Sequence, residues 1–263
     1  MRRVVKTRPP GNVAPEQQEP YSLVEAEMRL RTSLRTATSP SKHARAQFDS
    51  LDKEKLREVL SAEQRHLCIY CERELKDGGE PHRIEHWRPV SRSPSLALHW
   101  KNLYLSCASK DTCDGSKADQ RLVWRDEDKD EDAKKDLPWP SDANYEEWIG
   151  FTSDGIAYVR ADAPLDEARR KALELALADQ EDEGQTRTSF LNLNSYSLAE
   201  ARRAVIDVER ERLARAFRGR TATDAERRAS AQSLLAESRY RCFISVRVAY
   251  LHRLLGKNRG TGR

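Results

Sequence analysis

Four cysteines in two pairs constrain this chain more than any other feature of its sequence. Cys68 and Cys71 form a CxxC pair, and Cys107 and Cys113 follow as a second pair with five residues between them. Four thiolates match the tetrahedral coordination of a structural zinc ion, in which Zn–S bonds measure about 2.3 Å. The alternative is a set of four unlinked or buried cysteines. The spacing favours zinc, and four protein ligands leave no open position, so the ion would be structural and not catalytic.

The sequence indicates a cytoplasmic protein that does not contact a membrane. No apolar run approaches the roughly 18 residues of a membrane-spanning helix, and the basic segment MRRVVKTRPPGN lacks the apolar core of a secretory signal. In the cytoplasm, clustered cysteines bind metal more often than they form disulfides. Cys242 lies far from the two pairs, in a helical pattern, and is expected to be a buried thiol.

The charge distribution suits a polyanionic partner. The formal net charge of +4 divides into +6 over residues 1–125, −12 over 126–200 and +10 over 201–263. A basic surface attracts nucleic acid because neutralising phosphates releases condensed counterions. For the Arg-rich C-terminal block alone, a set of solvated helices is the favoured interpretation. The acidic middle could face a partner protein.

The spacing of apolar residues predicts helices over much of the chain. In the first of them, Leu23, Met28, Leu30 and Leu34 are the candidates for a buried stripe. Asp52 or Ser50 could cap the second, and Ser197 with Glu200 forms a capping-box pattern. The predicted helices cover 21–37, 51–66, 165–182, 197–218 and 223–256.

Three other segments are not helical in pattern. Residues 1–20 hold four prolines and are predicted to form an extended arm outside the core. Residues 126–136 are a charge run, typical of a surface loop. Residues 145–160 predict a β-hairpin with Asp154 and Gly155 at its turn.

The segment between the cysteine pairs carries the chemically informative residues. It contains Ile84-Glu85-His86-Trp87-Arg88-Pro89, and Asn102 comes sixteen residues after His86. Leu105-Ser106-Cys107 and Cys113-Asp114-Gly115-Ser116-Lys117 follow. This order resembles the HNH nuclease motif across residues 67–120: an acidic residue beside a histidine at a strand end, Asn-Leu before the second cysteine pair, and Cys-x-x-x-Lys opening a helix.

Further segments narrow this resemblance to one family. The chain is similar, over roughly residues 50–205, to the HNH subunit of Septu-type anti-phage systems, often called PtuB-like, whose relatives accompany some retrons. In that family the nuclease subunit works beside an ABC-type ATPase, so the resemblance implies such a partner here. The segments that carry it, besides the IEHWRP run, are LSAEQRHLCIYCERE, WKNLYLSC, WIGFTSDGIAYV and FLNLNSYSLAEARR.

The resemblance implies a ββα-metal unit that hydrolyses phosphodiester bonds of DNA or RNA. By position, His86 is the general base, since a neutral imidazole can accept a proton from water at neutral pH. Asn102 either fixes the loop or holds the imidazole in its productive tautomer. Glu85 stands where the family places an acidic ligand of the catalytic divalent ion, Mg²⁺ or Mn²⁺.

The remaining predicted site residues are Asp114, Lys117, Arg83 and Arg88. Many HNH nucleases have a histidine directly after the last cysteine, but this chain has Asp114, which could be a metal ligand or a helix cap. Lys117 could contact a phosphate or be an ordinary exposed lysine. Arg83 and Arg88 are expected to bind the nucleic-acid backbone, which gives affinity but little sequence recognition.

These expectations combine into an α+β fold, in which a small zinc-braced ββα-metal core (HNH, or His-Me finger) is embedded in a mainly α-helical chain. The predicted division is an N-terminal arm and helix over 1–49, the nuclease core over 50–125, an acidic loop and β-hairpin over 126–163, and a helical, partner-docking region over 164–263.

Two alternatives to a metal-dependent nuclease stay open. The first is a zinc-stabilised adaptor that has lost catalysis and only docks a partner or nucleic acid, which the missing terminal histidine favours. The second is a zinc-ribbon DNA-binding regulator, but the Arg-rich helices that it would need lie far from the cysteines in the sequence. The intact Glu85, His86 and Asn102 favour the nuclease.

Overall fold

The computed structural model describes residues 1–15, 21–75, 82–110, 112–113, 115, 137–178 and 191–256. Within these residues the chain forms eight α-helices and two antiparallel sheets of two strands each, which confirms the predicted mixture of helices with small sheets. The helices are α1 Leu23–Ser33, α2 Pro40–Asp49, α3 Lys53–Glu63, α4 Tyr145–Trp148, α5 Glu167–Leu177, α6 Tyr196–Ala216, α7 Asp224–Ala236 and α8 Ile244–Leu251. The strands are β1 Arg83–His86, β2 Leu103–Ser106, β3 Ile149–Phe151 and β4 Ala157–Val159, and short 3₁₀ turns cover Pro94–Leu96 and Trp100–Asn102.

The first predicted helix exists, but its buried face is narrower than expected. Leu23 and Leu30 are buried on α1, and Leu34 packs partly against the core. Met28 is 63% exposed, so its predicted place in the stripe is wrong. It lies five positions after Leu23, which turns its side chain about 140° away around a helix of 3.6 residues per turn.

A helix that the sequence patterns did not predict lies between the first two predicted ones. Helix α1 ends at Ser33, and Pro40 opens α2. A proline is favoured at the first helical position, because an amide there has no partner within the helix. The next helix, α3, begins after Asp52, whose carboxylate accepts hydrogen bonds from the amides of Glu54 and Lys55, as predicted for one of its two candidate caps.

The C-terminal helices differ from their sequence prediction in two places. Ser195 precedes α6, and Ser197 lies inside that helix, so the expected Ser197–Glu200 capping box is wrong. The helix predicted over 223–256 is interrupted between α7 and α8, where Phe243 adopts a left-handed conformation with φ of 53°. In the interruption, the Tyr240 amide donates to the Arg65 carbonyl and the Phe243 amide to the Glu72 carbonyl, so tertiary contacts override the helical pattern.

Two further predictions are confirmed. Helix α5 falls within the range 165–182, of which residues after 178 lie outside the described part. Strands β3 and β4 form the expected hairpin over residues 149–159, and Gly155 at its turn has a φ of 87° that favours glycine. The first four residues of the predicted range 145–160 form α4 instead. The charge run 126–136 lies outside the described residues.

The N-terminal segment belongs to the hydrophobic core, and the prediction of an arm outside it is wrong. Met1, Val4 and Val13 are buried in the main cluster. The Val4 amide donates to the Pro140 carbonyl, and the Val13 carbonyl accepts from the Asp52 amide. Prolines prevent a helix here, but they do not prevent an extended segment from burying its apolar side chains.

One contiguous cluster of buried side chains contains residues from each of the four segments predicted from the sequence, 1–49, 50–125, 126–163 and 164–263. Leu23, Tyr104, Phe151 and Ile206 each come from a different one of them. The β1–β2 hairpin, with Leu103 and Leu105 fully buried, lies within this cluster and positions the residues described below. Among the described residues, no helix combines the length and apolar character needed to cross a membrane.

Candidate functional site

The four predicted cysteines converge on one point. Cys68 and Cys71 lie in the loop after α3, and Cys107 directly follows β2. Cys113 lies in a turn, and its backbone amide donates to the Leu191 carbonyl. Their sulfur atoms all lie within 4.8 Å of one another. The Sγ–Sγ distance is 3.9 Å both for Cys68 with Cys113 and for Cys71 with Cys107.

These distances fit a tetrahedral metal site. Sulfur atoms at the corners of a tetrahedron around zinc, with Zn–S bonds of about 2.3 Å, lie roughly 3.8 Å apart. A disulfide would need about 2.05 Å, and all five cysteines are free thiols. Four thiolates without a hard oxygen ligand select a soft or borderline ion such as zinc. The structure therefore confirms that these residues could hold a metal ion of the predicted kind.

The proximity of the four buried thiols also favours the binding of a cation. Burial opposes the thiolate of Cys68, but hydrogen bonds from the neighbouring thiols outweigh it and hold the pKa of Cys68 well below its usual value. Burial, with further contributions from the same neighbours, raises the pKa of Cys113 well above its usual value. Four adjacent thiolates are therefore not stable without a positive charge, and metal binding to such a cluster releases protons.

The first cysteine loop is joined to the hairpin by backbone hydrogen bonds. The Cys107 amide donates to the Cys68 sulfur at 3.4 Å, and the Ile69 amide donates to the Leu105 carbonyl at 3.0 Å. The Cys68 amide donates to the Arg73 carbonyl, which closes the loop on itself. A metal ion in the cluster would thus brace the strand that pairs with β1.

Glu85 and His86 are the last two residues of β1, paired with Tyr104 and Leu103 of β2. Both side chains are buried, with 5% of each residue exposed. The Glu85 carboxylate accepts a hydrogen bond from the Tyr70 hydroxyl at 2.8 Å. The His86 ring instead contacts the edge of Phe48 on α2, with ring centroids 4.5 Å apart. The two predicted catalytic side chains therefore have different neighbours on the two sides of the strand.

The tautomer of His86 is fixed by the backbone. Its Nε2 lies 3.0 Å from the carbonyl oxygen of Ala97. A carbonyl only accepts, so in the neutral ring Nε2 carries the hydrogen and Nδ1 is the basic nitrogen. This is the arrangement that a general base requires, because one nitrogen is anchored and the other is the site of protonation.

Asn102 closes the loop that follows β1. It is fully buried, and its Oδ1 accepts from the Arg88 amide at 2.6 Å. Its Nδ2 donates to the carbonyls of Arg88 at 3.1 Å and Leu96 at 2.9 Å. These contacts are those of the first of its two predicted roles, since they fix the loop and are not made to the imidazole.

The predicted backbone-binding residues lie around this hairpin. Arg83 is the first residue of β1 and is half-buried. The Arg88 guanidinium donates to the Leu137 carbonyl at 3.1 Å and lies 5.7 Å from the centre of the Trp139 ring. Asp114 and Lys117 lie outside the described residues, so the second predicted ligand of the catalytic ion has no described geometry.

Tyr70 is a functional candidate that sequence reasoning missed. It lies between Cys68 and Cys71, and its hydroxyl is the donor to Glu85. In the sequence, the position of Tyr70 inside the CxxC pair was the one indication of its importance. Its contact with Glu85, fifteen positions away, could not be predicted from residue spacing. Cys242, expected to be buried, is half-buried and packs against the edge of the main core.

The sequence matches no known family model and no curated protein sequence. The chemistry of the site therefore rests on its own residues and their geometry.

Proposed function

We propose that this protein is a metal-dependent endonuclease of the HNH class, in which zinc in the cysteine cluster braces a ββα-metal core. The observation that carries the proposal is the placement of His86 at the end of β1. Its Nε2 is anchored by the Ala97 carbonyl at 3.0 Å, on a hairpin that the cysteine cluster supports. A histidine with a fixed tautomer at the end of a metal-braced hairpin is suited to accept a proton from water.

The residues divide the work of phosphodiester hydrolysis among them. Nδ1 of His86 takes the proton of the attacking water, and Asn102 holds the loop that carries the Ala97 carbonyl. Glu85 and Asp114 would hold Mg²⁺ or Mn²⁺, since carboxylate oxygens suit these hard ions. That ion would stabilise the charge on the phosphate and the leaving oxygen. Arg83, Arg88 and Lys117 would bind the nucleic-acid backbone, in DNA or RNA.

The biological setting rests on the sequence resemblance. The similarity to the HNH subunit of Septu-type systems supports a role as effector of a cytoplasmic anti-phage complex with an ABC-type ATPase. The acidic and basic blocks of the sequence are compatible with one surface for a protein partner and another for a polyanion. In such a complex the ATPase would control when the nuclease acts.

A second candidate is a zinc-stabilised adaptor without catalysis. The observation that favours it is the burial of both Glu85 and His86, each only 5% exposed, because hydrolysis needs the attacking water to reach His86 and the divalent ion to reach Glu85. The aspartate at position 114, where HNH nucleases often have histidine, is a second reason. This protein would use the same cysteine cluster to hold a docking surface for a partner.

A cleavage assay separates the two candidates. Zinc-loaded wild type and His86→Ala are incubated with plasmid DNA or total RNA, with Mg²⁺, Mn²⁺ or no added divalent ion, and with and without the ATPase. The divalent ion is left out and not removed with EDTA, because EDTA would also remove zinc from the cysteines. The matched control is His43→Ala, which removes a half-buried histidine of α2 whose ring contacts Ser33 at 2.6 Å.

The nuclease predicts divalent-dependent cleavage by wild type and His43→Ala, and a loss of about 100-fold or more in His86→Ala. Zinc content should be the same in all three proteins, and each should be folded at the assay temperature. His86→Ala is expected to unfold earlier than wild type, because it loses the buried contacts of the ring with Ala97 and Phe48. Cleavage by none of the proteins, each folded and zinc-loaded, would favour the adaptor. Equal cleavage by His86→Ala would reject His86 as the base.

A further inference from the structure

Tyr70 contacts both sequence neighbours of His86. Its hydroxyl donates to Oε1 of Glu85 at 2.8 Å. Its ring stacks on Trp87, with centroids 5.6 Å apart and an interplanar angle of 18°. One side chain thus fixes the residue before and the residue after the proposed general base.

The position of Tyr70 is set by the cysteine cluster. It lies between Cys68 and Cys71, and only 2% of its surface is exposed. Because both flanking side chains converge on one point, an ion bound there would fix the backbone on either side of Tyr70. The Ile69 amide, which donates to Leu105, holds the same loop against β2. Loss of the ion would free the segment that aims the hydroxyl.

The bond from Tyr70 is suited to orienting a metal-binding carboxylate. A buried carboxylate needs hydrogen-bond donors, and carboxylates that ligate metals are held in place by such partners. The phenol donates to Oε1 of Glu85 and so restricts the orientation of the whole carboxylate.

We propose that Tyr70 is a positioning residue through which the cysteine metal site controls divalent-ion binding at Glu85. Zinc fixes the loop, the loop fixes Tyr70, and the hydroxyl of Tyr70 holds Glu85 in the orientation that binds Mg²⁺ or Mn²⁺. This rests on the proposed function insofar as Glu85 is the ligand of the catalytic ion. It adds that the two metal sites are coupled.

The test is Mn²⁺ affinity in zinc-loaded protein, measured by calorimetry and by the electron paramagnetic resonance signal of free Mn²⁺. Tyr70→Phe removes the hydroxyl and keeps the ring on Trp87. We expect its Mn²⁺ affinity to fall by about 10- to 100-fold, with zinc content unchanged. The matched control is Tyr145→Phe, because Tyr145 is also buried against Trp87 (6.2 Å) but donates to the Pro138 carbonyl at 2.8 Å and not to a carboxylate. That control should bind Mn²⁺ like wild type.

Mn²⁺ binding by Tyr70→Phe as tight as that of wild type would overturn the proposal, as would an equal loss in Tyr145→Phe. Should Tyr70→Phe fail to fold, 3-fluorotyrosine at position 70 keeps the ring and the donor while making the hydroxyl more acidic. A changed Mn²⁺ affinity would then support the proposal, and an unchanged one would overturn it.

The outcome is separable from that of the cleavage assay. Weaker Mn²⁺ binding in Tyr70→Phe, together with a wild type that cleaves nothing, would support the positioning role of Tyr70 and count against the nuclease. Cleavage by wild type with unchanged Mn²⁺ affinity in Tyr70→Phe would remove the coupling alone. Absence of Mn²⁺ binding by zinc-loaded wild type, or full binding by Glu85→Gln, would overturn the assignment of Glu85 on which the coupling rests.

Discussion

Glu72 accepts two hydrogen bonds from Ser245, one from the backbone amide at 2.9 Å and one from the hydroxyl at 2.6 Å. Glu72 directly follows Cys71, and Ser245 is the second residue of α8, so this contact joins the cysteine cluster to the C-terminal helix. The Phe243 amide adds a bond to the Glu72 carbonyl at 2.8 Å. The cluster therefore supports two elements, the β1–β2 hairpin on one side and α8 on the other.

Glu72→Ala should destabilise the protein by about 1–3 kcal/mol, because it leaves the buried hydroxyl and amide of Ser245 without their acceptor. Glu74→Ala is the matched control. Its ion pair with Arg239 is exposed on both sides, and such pairs contribute about 0–1 kcal/mol. Urea denaturation of both variants measures the difference. Equal losses in the two proteins would show that the contact between Glu72 and Ser245 has no special weight.

Cys113→Ser should lower the zinc content of the purified protein well below that of wild type. A serine hydroxyl is not a thiolate, and four thiolates complete the coordination of zinc in such sites. Because metal binding is coupled to folding, the free energy of unfolding should fall by several kcal/mol. Cys242→Ser is the control, since Cys242 lies outside the cluster. Metal analysis and denaturation of both variants test this, and an unchanged zinc content in Cys113→Ser would contradict it.

The cysteine cluster could be predicted because its information is local and chemical. Two pairs of cysteines in one chain are typical of a metal site. The four sulfur atoms lie within 4.8 Å of one another, as their spacing in the sequence predicted. The α3 cap at Asp52 and the turn at Gly155 were predictable for the same reason, since each depends on a few adjacent residues. The roles of His86 and Glu85 stay predictions, although the structure places both at the end of β1.

Features decided by distant contacts could not be predicted. The N-terminal segment has the composition of an arm, but the core accepts Val4 and Val13 as extended backbone. The helix predicted over 223–256 is interrupted where the amides of Tyr240 and Phe243 donate to the carbonyls of Arg65 and Glu72, on either side of the CxxC pair. Tyr70 owes its importance to Glu85, fifteen residues away. In each case the deciding partner is remote in sequence, so a local pattern carries no sign of it.

Asn102→Asp should destabilise the loop after β1. The substitution keeps Oδ1 as an acceptor for the Arg88 amide but turns the second group from a donor into a carboxylate oxygen facing the carbonyls of Arg88 and Leu96. Two lost hydrogen bonds and a buried charge should cost about 3 kcal/mol or more. Denaturation measures the loss, and amide hydrogen exchange should be faster over residues 88–97. Asn144→Asp is a control on a half-buried side chain whose hydrogen bond to Glu147 is exposed; a loss in it as large as in Asn102→Asp would contradict the role of the buried amide.

Lys6 should make the stability of the protein depend on pH in the alkaline range. Its ammonium lies 4.1 Å from the centre of the Trp100 ring and 4.4 Å from that of Tyr104, and 3.1 Å from Oε2 of Glu63. Burial lowers the pKa of Lys6 from its usual 10.5 to about 8, although Glu63 opposes the shift. Between these two pKa values the unfolded chain binds more protons than the folded one, so folding becomes more favourable as the pH rises.

The comparison that isolates this effect is wild type against Lys6→Met, which keeps the length of the side chain without the titrating group. From pH 7 to pH 10 the free energy of unfolding of wild type should rise relative to that of the variant by on the order of 2 kcal/mol. Lys53, whose pKa is also lowered to about 8 by burial, is present in both proteins and cancels. Urea denaturation across this pH range measures the difference. A difference that stays constant would show that Lys6 keeps its usual pKa in the folded protein, and one that moves against wild type would show that this pKa is raised. Either result would contradict the prediction.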